Sequence, residues 1–257
     1  MKQAQALTIT NAQLVTPEGI VPGALRCADG VILALGADVG PEEGDEVVNA
    51  RGKLLAPGIV DLGVFAVDKP AFHFGGITRA ALMPDQSPPL DLPSRVGFIA
   101  KSGKPDLWVH PLAAATRGLE GRELAELALM QEAGAKAVAT GRRWIADSGV
   151  MLRLLQYAAM LGLVVVTHAE DGGLAGEASA TAGEIATRLG LPAAPAEAEA
   201  LAIARDIALA ELAGARLHIR QVTTARGFAL VREAKARGLA VTCGITPAHF
   251  MLSDLAT

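Results

Sequence analysis

Cysteine is nearly missing: Cys27 and Cys243 are the only two in 257 residues. They are too few for a disulfide framework, and neither belongs to a C-x-x-C pair of the kind that holds metal, so reduced, buried and inert thiols in a cytoplasmic protein are expected. Aromatic residues are also scarce, 4% of the chain against 51% hydrophobic residues overall, so the core must be mostly Ala, Leu, Val and Ile. No segment approaches the ~18 consecutive apolar residues of a membrane span. The opening "MKQAQALTITNAQLVTPEG" has no apolar stretch of signal-peptide type, because its hydrophobic residues alternate with polar ones. No Lys/Arg block interrupts a chain of net charge −4, which excludes the electrostatic footprint of a nucleic-acid binder. The glycine signatures of phosphate cradles are lacking too: no G-x-G-x-x-G follows the first strand of the main domain, and no G-x-x-x-x-G-K-[ST] occurs.

What is present divides into two rhythms. Residues 6–56 show period-two alternation broken by the turn residues Pro17-Glu18-Gly19 and Asp29-Gly30, the pattern of a small antiparallel sheet. From residue 57 onward short apolar runs alternate with Ala/Leu-rich amphipathic stretches, as in βα units around a parallel sheet. Seven strands are expected, over 59–65, 79–83, 107–111, 135–140, 163–168, 216–222 and 240–246. Helices are expected over 121–133, 149–161, 196–213 and 225–237, with a long loop and a short helix in 171–195. The predicted architecture is a TIM-like (β/α) barrel over 57–257, with an eighth strand lacking from the sequence, and a small β-sandwich portion over 1–56. An open doubly wound sheet is the alternative.

Six phrases carry a resemblance: "GKLLAPGIVDLGVFA", "GGITRAALMPDQSPPLD", "ELALMQEAGAKAVAT", "VVVTHAED", "EAEALAIARDIALAELAGARLHIRQVTTARG" and "GLAVTCGITPAHFMLSD". In this order they resemble the dihydroorotase branch of the amidohydrolase superfamily over essentially the whole chain. The resemblance implies a (β/α)₈ barrel beside a small β-sandwich, zinc at the C-terminal ends of the strands, and interconversion of carbamoyl-aspartate and dihydroorotate. Zinc would lower the pKa of a bound water and polarise the amide carbonyl.

The positions that would build this site are mostly altered. The family's first strand reads D-x-H-x-H followed by an Arg that grips the substrate carboxylate; here Asp61 is kept, Gly63 and Phe65 replace the ligand histidines, and "AVD" follows without an Arg. The Asn of "MPN" is Asp85, whose charge would repel a dicarboxylate. An acidic "DDG" at the fourth strand has become Gly141, Arg142 and Arg143. His168 matches a metal-binding histidine, but "H-x-x-H-[VL]-S-T" has become "HIRQVTT", with His218 kept and Gln221 at the ligand position. "TPHH" is "TPAH", with Ala248 and then His249, and the family's catalytic Asp would follow an eighth strand. One certain imidazole, His168, cannot hold zinc, which takes three protein ligands in a catalytic site.

Blander readings stand beside these. Asp61 is expected to brace a loop by accepting backbone N–H groups, and His168 to hydrogen-bond a neighbour, with His218 or Glu170 as the partners that would make it a ligand. His73, His110, His218 and His249 lie on different elements, and Arg142 and Arg143 read as solvated charge or as an anion or carboxylate site. The expected function is that of a non-catalytic, dihydroorotase-like protein of pyrimidine biosynthesis, without a cofactor, oligomeric, and a structural partner of aspartate carbamoyltransferase. The alternative is an active zinc enzyme of dihydroorotase, hydantoinase or allantoinase type using displaced ligands or residues beyond 257. A truncated domain with unpaired sheet edges is a third reading.

Overall fold

The computed structural model describes residues 6–102 and 107–256, and the chain divides into two compact units between Ile59 and Val60. In the first unit β1 (Leu7–Thr16), β2 (Gly19–Ala28), β3 (Val31–Gly36), β4 (Glu46–Asn49) and β5 (Leu54–Leu55) form one five-stranded sheet. The antiparallel pairing expected from the turn residues holds for β1–β2 and β2–β3, whereas β4 and β5 run parallel to β1. The reason is the connection over 37–45, which carries the chain past β2 to the far side of β1, so that β4 enters in the same direction. Asp45, the last residue of that connection, accepts from Arg26 Nε at 2.8 Å and Nη2 at 3.0 Å and from Thr8 Oγ1 at 2.6 Å. The Arg26 guanidinium, with the Thr8 hydroxyl, holds the Asp45 carboxyl well below the usual carboxylate range.

The second unit contains β6 (Ile59–Val64), α1 (Lys69–Phe74), β7 (Ile77–Leu82), α2 (Pro93–Lys101), β8 (Trp108–Ala114), α3 (Leu127–Glu132), β9 (Ala137–Ala139), α4 (Ser148–Met160) and β10 (Val164–Thr167). It continues through α5 (Gly172–Ala175), β11 (Ala180–Thr181), α6 (Glu184–Leu189), β12 (Ala193–Ala194), α7 (Glu197–Ala213), β13 (Arg216–Ile219), α8 (Ala225–Ala236), β14 (Val241–Cys243) and α9 (Ala248–Met251). Seven strands form a curled sheet in the order β14-β13-β10-β9-β8-β7-β6, and the pairs from β7 to β14 are parallel. Parallel neighbours in sequence order, each followed by a helical segment, are the topology of a (β/α) barrel. The short pair β11–β12 occupies the insertion after β10.

Aliphatic strand residues make the core: Val138, Val165, Leu217 and Ile219 are inaccessible or nearly so and pack with Leu154 and Leu155 of α4 and Ile203 of α7. Ala158, Ala202 and Ala210 are equally buried, their small side chains letting the helices come close to the sheet. Local signals set the ends. The Asp147 carboxylate accepts from Val150 N at 2.8 Å and caps α4, the Thr224 hydroxyl accepts from Gly227 N at 3.0 Å and caps α8, and α7 stops at Gly214 in the left-handed region.

Three differences from expectation have physical causes. The strand expected over 59–65 is β6, whose apolar run does not make it a buried one, because it stands at the sheet edge with Val60 and Leu62 about half exposed. The helix expected over 121–133 shrinks to α3, because Thr116 bridges Leu124 and a 3₁₀ turn takes Arg117–Leu119. The strands expected over 216–222 and 240–246 end at Ile219 and Cys243, where the chain turns into the loops of the barrel mouth. No helix among the described residues is long and apolar enough to cross a membrane.

Candidate functional site

The C-terminal ends of the parallel strands are where a barrel of this type builds its site. His168 follows β10, and Thr140 after β9 fixes its backbone by accepting His168 N–H at 3.1 Å. The imidazole stands between two charged groups: Arg220 Nη2 lies 3.3 Å from Nδ1, and Glu170 Oε2 lies 3.4 Å from Nε2. An arginine only donates, so Nδ1 accepts and the ring proton sits on Nε2, facing Glu170. Burial pulls the pKa of His168 below its usual value, the charge of Arg220 adds to this, and Glu170 opposes both. His168 is therefore a neutral imidazole with its lone pair already committed.

Arg220 lies where the resemblance places metal. Its Cγ and Cδ pass 3.7 and 3.8 Å from the position a Cβ would take on Gly63, and its guanidinium carbon is 5.3 Å from the centre of the Phe65 ring. Arg142 packs on the same ring at 3.9 Å. The Phe65 backbone is held by Gln86 Nε2, which donates to the Phe65 and Met83 carbonyls at 3.1 Å each. Burial lowers the pKa of Arg220, Asp85 opposes this, and Arg142 reinforces it.

Asp85 turns inward in the loop after β7. Its Oδ1 accepts the Arg142 backbone N–H at 2.9 Å. Gly141, at φ +78, is required at this contact, because a Cβ there would lie 2.8 Å from that oxygen. Asp85 Oδ2 and Arg220 Nε are both buried without a hydrogen-bond partner among the described residues.

The remaining predicted residues lie elsewhere. Asp61 Oδ1 accepts Gly63 N–H at 3.0 Å, a local brace. His218 is buried and pairs across strands with Thr242, Nδ1 to Oγ1 at 2.8 Å; burial lowers its pKa. Gln221 places its amide nitrogen 3.3 Å from His249 Nε2, and His249 Nδ1 meets Thr246 Oγ1 at 2.7 Å, so His249 accepts from the amide and donates to the hydroxyl. Ala248 starts α9, His73 lies in the last turn of α1, and His110 on β8 is 3.4 Å from Arg79 Nη1. Arg143 is exposed. Cys27 and Cys243 are free thiols, and burial pushes that of Cys243 up.

These residues do not fit zinc. Gly63 and Phe65 supply no donor atom, Gln221 is spent on His249, and both nitrogens of His168 are engaged. Among the described residues no three His, Cys, Asp or Glu side chains converge.

Sequence reasoning singled out His168 and the substituted ligands but passed over Arg220, the residue that fills the space between them. The available signal was a charged side chain inside "LHIRQV", directly after the apolar Ile219 and one residue beyond the kept His218. It also passed over a buried acid that ties α7 to the strand end. Asp206 of α7 is fully buried and accepts from Trp144 Nε1 at 3.3 Å, Thr167 Oγ1 at 2.9 Å and Arg205 Nε at 2.9 Å. Arg205 in turn stacks on Trp144 at 3.8 Å, fixing the loop that carries Arg142.

Known proteins resemble this chain in sequence and in fold. A dihydroorotase of Pelotomaculum thermopropionicum is 43% identical over 240 residues, covering 88% of this chain and 56% of its own length. That of Citrifermentans bemidjiense is 36% identical over 242 residues, covering 88% and 57%. The chain thus spans a little over half the length of these curated relatives. Among solved structures, L-hydantoinase (dihydropyrimidinase) from Arthrobacter aurescens superposes with a TM-score of 0.81 over 97% of this chain and 60% of its own, at 24% identity, a likeness of fold. With a dihydro-orotase-like family model matching residues 52–226, the chain belongs to the dihydro-orotase-like family.

Proposed function

We propose that this protein serves pyrimidine biosynthesis as a non-catalytic member of its family, a structural partner of aspartate carbamoyltransferase that performs no zinc hydrolysis. One observation carries the reading: the lone pair of His168, the one certain surviving ligand, is taken by Arg220, whose side chain runs past Gly63 toward Phe65. A guanidinium there supplies fixed positive charge but cannot activate water as a metal does. Family members that lack metal ligands and act as structural subunits of the transcarbamoylase support the choice of partner.

The test is elemental analysis of the dialysed protein combined with an assay of dihydroorotate hydrolysis on the same sample and co-purification with aspartate carbamoyltransferase. The expected result is less than about a tenth of an equivalent of zinc, no turnover, and a stable complex. One or two equivalents of zinc with turnover would instead establish an active zinc amidohydrolase of dihydroorotase, hydantoinase or allantoinase type.

A further inference from the structure

The geometry points to an oxyanion site at the barrel mouth, in which Arg220 and Arg142, both packed against the Phe65 ring, grip a small carboxylate. This inference rests on the reading that zinc does not occupy the site. Both guanidinium carbons lie near one phenyl ring, at 5.3 and 3.9 Å from its centre, which places them within about 9 Å of each other, the sum of those distances. Their mutual repulsion is not answered by any ion pair to either arginine among the described residues. The Arg142 guanidinium makes no hydrogen bond among them, although its backbone N–H binds Asp85. Arg220 spends one Nη2 contact on His168 Nδ1, and Nη1 makes no hydrogen bond among the described residues.

The nearby acids do not fill the need. Asp85 commits Oδ1 to a backbone N–H and buries Oδ2, and Glu170 faces the opposite edge of the His168 ring. Phe65 supplies a platform that holds both planar cations by cation–π contact, leaving the Arg142 fork and Arg220 Nη1 as donors for a ligand. A planar carboxylate matches such an edge with two parallel hydrogen bonds, which makes a carboxylate the preferred ligand over a spherical anion. The aliphatic part of Arg220 against Gly63 fixes one cation, and the loop locked by Asp206, Trp144 and Arg205 positions the other. Preorganised donors of this kind raise affinity because little side-chain freedom is lost on binding.

Calorimetric titration of the EDTA-dialysed protein with propionate, a monocarboxylate, and separately with inorganic phosphate, tests the inference. Saturable propionate binding at one site is expected, weakened at least about tenfold in R142Q and in R220Q. R220K, which keeps charge but loses the fork, should fall between wild type and R220Q, and R232Q at an exposed position of α8 should match wild type. Because Arg142 is exposed, R142Q remains informative even if R220Q fails to fold. Tighter binding of phosphate than of propionate, lost in the same variants, would uphold the oxyanion site and assign it to phosphoryl ligands. No saturation by either anion up to about 20 mM, or binding indifferent to both arginine substitutions, would overturn it. Zinc and dihydroorotate turnover measured on the protein before any chelator is added separate this from the functional reading: a zinc-free protein that ignores both anions sinks the anion site alone, and stoichiometric zinc with turnover sinks the reading beneath it.

Discussion

Helix α7 carries Glu199 and Asp206 into the interior, and every one of their carboxylate oxygens is hydrogen-bonded: Glu199 accepts the N–H and hydroxyl of Thr223 and of Thr224, Asp206 the groups of Thr167, Trp144 and Arg205. At the barrel mouth, in the same unit, Asp85 and Arg220 each bury a polar atom with no partner among the described residues. Buried polar groups in folded proteins are normally satisfied, and an exception calls for an explanation. The contrast separates scaffold from site: the acids of α7 tie the helix to the strands and loops with every oxygen engaged, and the groups around Arg220 retain unused hydrogen-bonding capacity.

The largest effect is expected from D206A, which removes the acceptor of Arg205, Thr167 and Trp144 at a fully buried position and should cost about 3 kcal/mol in urea denaturation. E199Q should follow at about 2 kcal/mol, because an amide nitrogen would face the N–H and hydroxyl of a threonine that now donate to a carboxylate oxygen. R220M should change stability by less than about 1 kcal/mol, since the lost group was never fully partnered. The same variant should raise the pKa of His168, read by NMR titration, because the nearby cation that helps depress it is gone. If R220M costs as much as D206A, the distinction between closed scaffold and open site collapses.

The smallest effect is in pH dependence. His168 and His218 are held below their ordinary value of about 6.5, each chiefly by burial. In the window between the depressed folded values and about 6.5 the unfolded chain binds more protons, so stability is fully present above about pH 7 and falls as the pH drops through that window. Urea midpoints at pH 7.5 and 5.5 should show this loss, and H168N should show less of it. An equal loss in H168N would mean that other groups carry the dependence.

Much of the scaffold was legible in the sequence. Apolar runs such as "LVVV" and the Ala/Leu periodicity of "EAEALAIARDIALAELAGA" mark β10 and α7, because burial on a regular element leaves a period. Helices α1 and α2 escaped notice: α1 is only six residues long, and α2 starts at Pro93 with no side-chain cap to announce it. That Gly63, Phe65 and Gln221 carry no imidazole was readable by position. That Arg220 fills the space between them was not, because which strand-end side chain turns inward is decided by long-range packing. Glu199 and Asp206 were hidden for a similar reason, since an acid on a helix reads as solvated until its partners on other elements are known.

The contact between Arg220 and Gly63 also bears on redesign. A Cβ on Gly63 would already touch the arginine side chain, so an imidazole there would meet it directly, while the lone pair of His168 stays engaged until Arg220 leaves. Installing a histidine at position 63 alone therefore builds no metal centre, and Arg220 must be replaced before any added imidazole has a use. A metal site can be engineered at this mouth only by substituting several positions together, since no single exchange brings a benefit by itself.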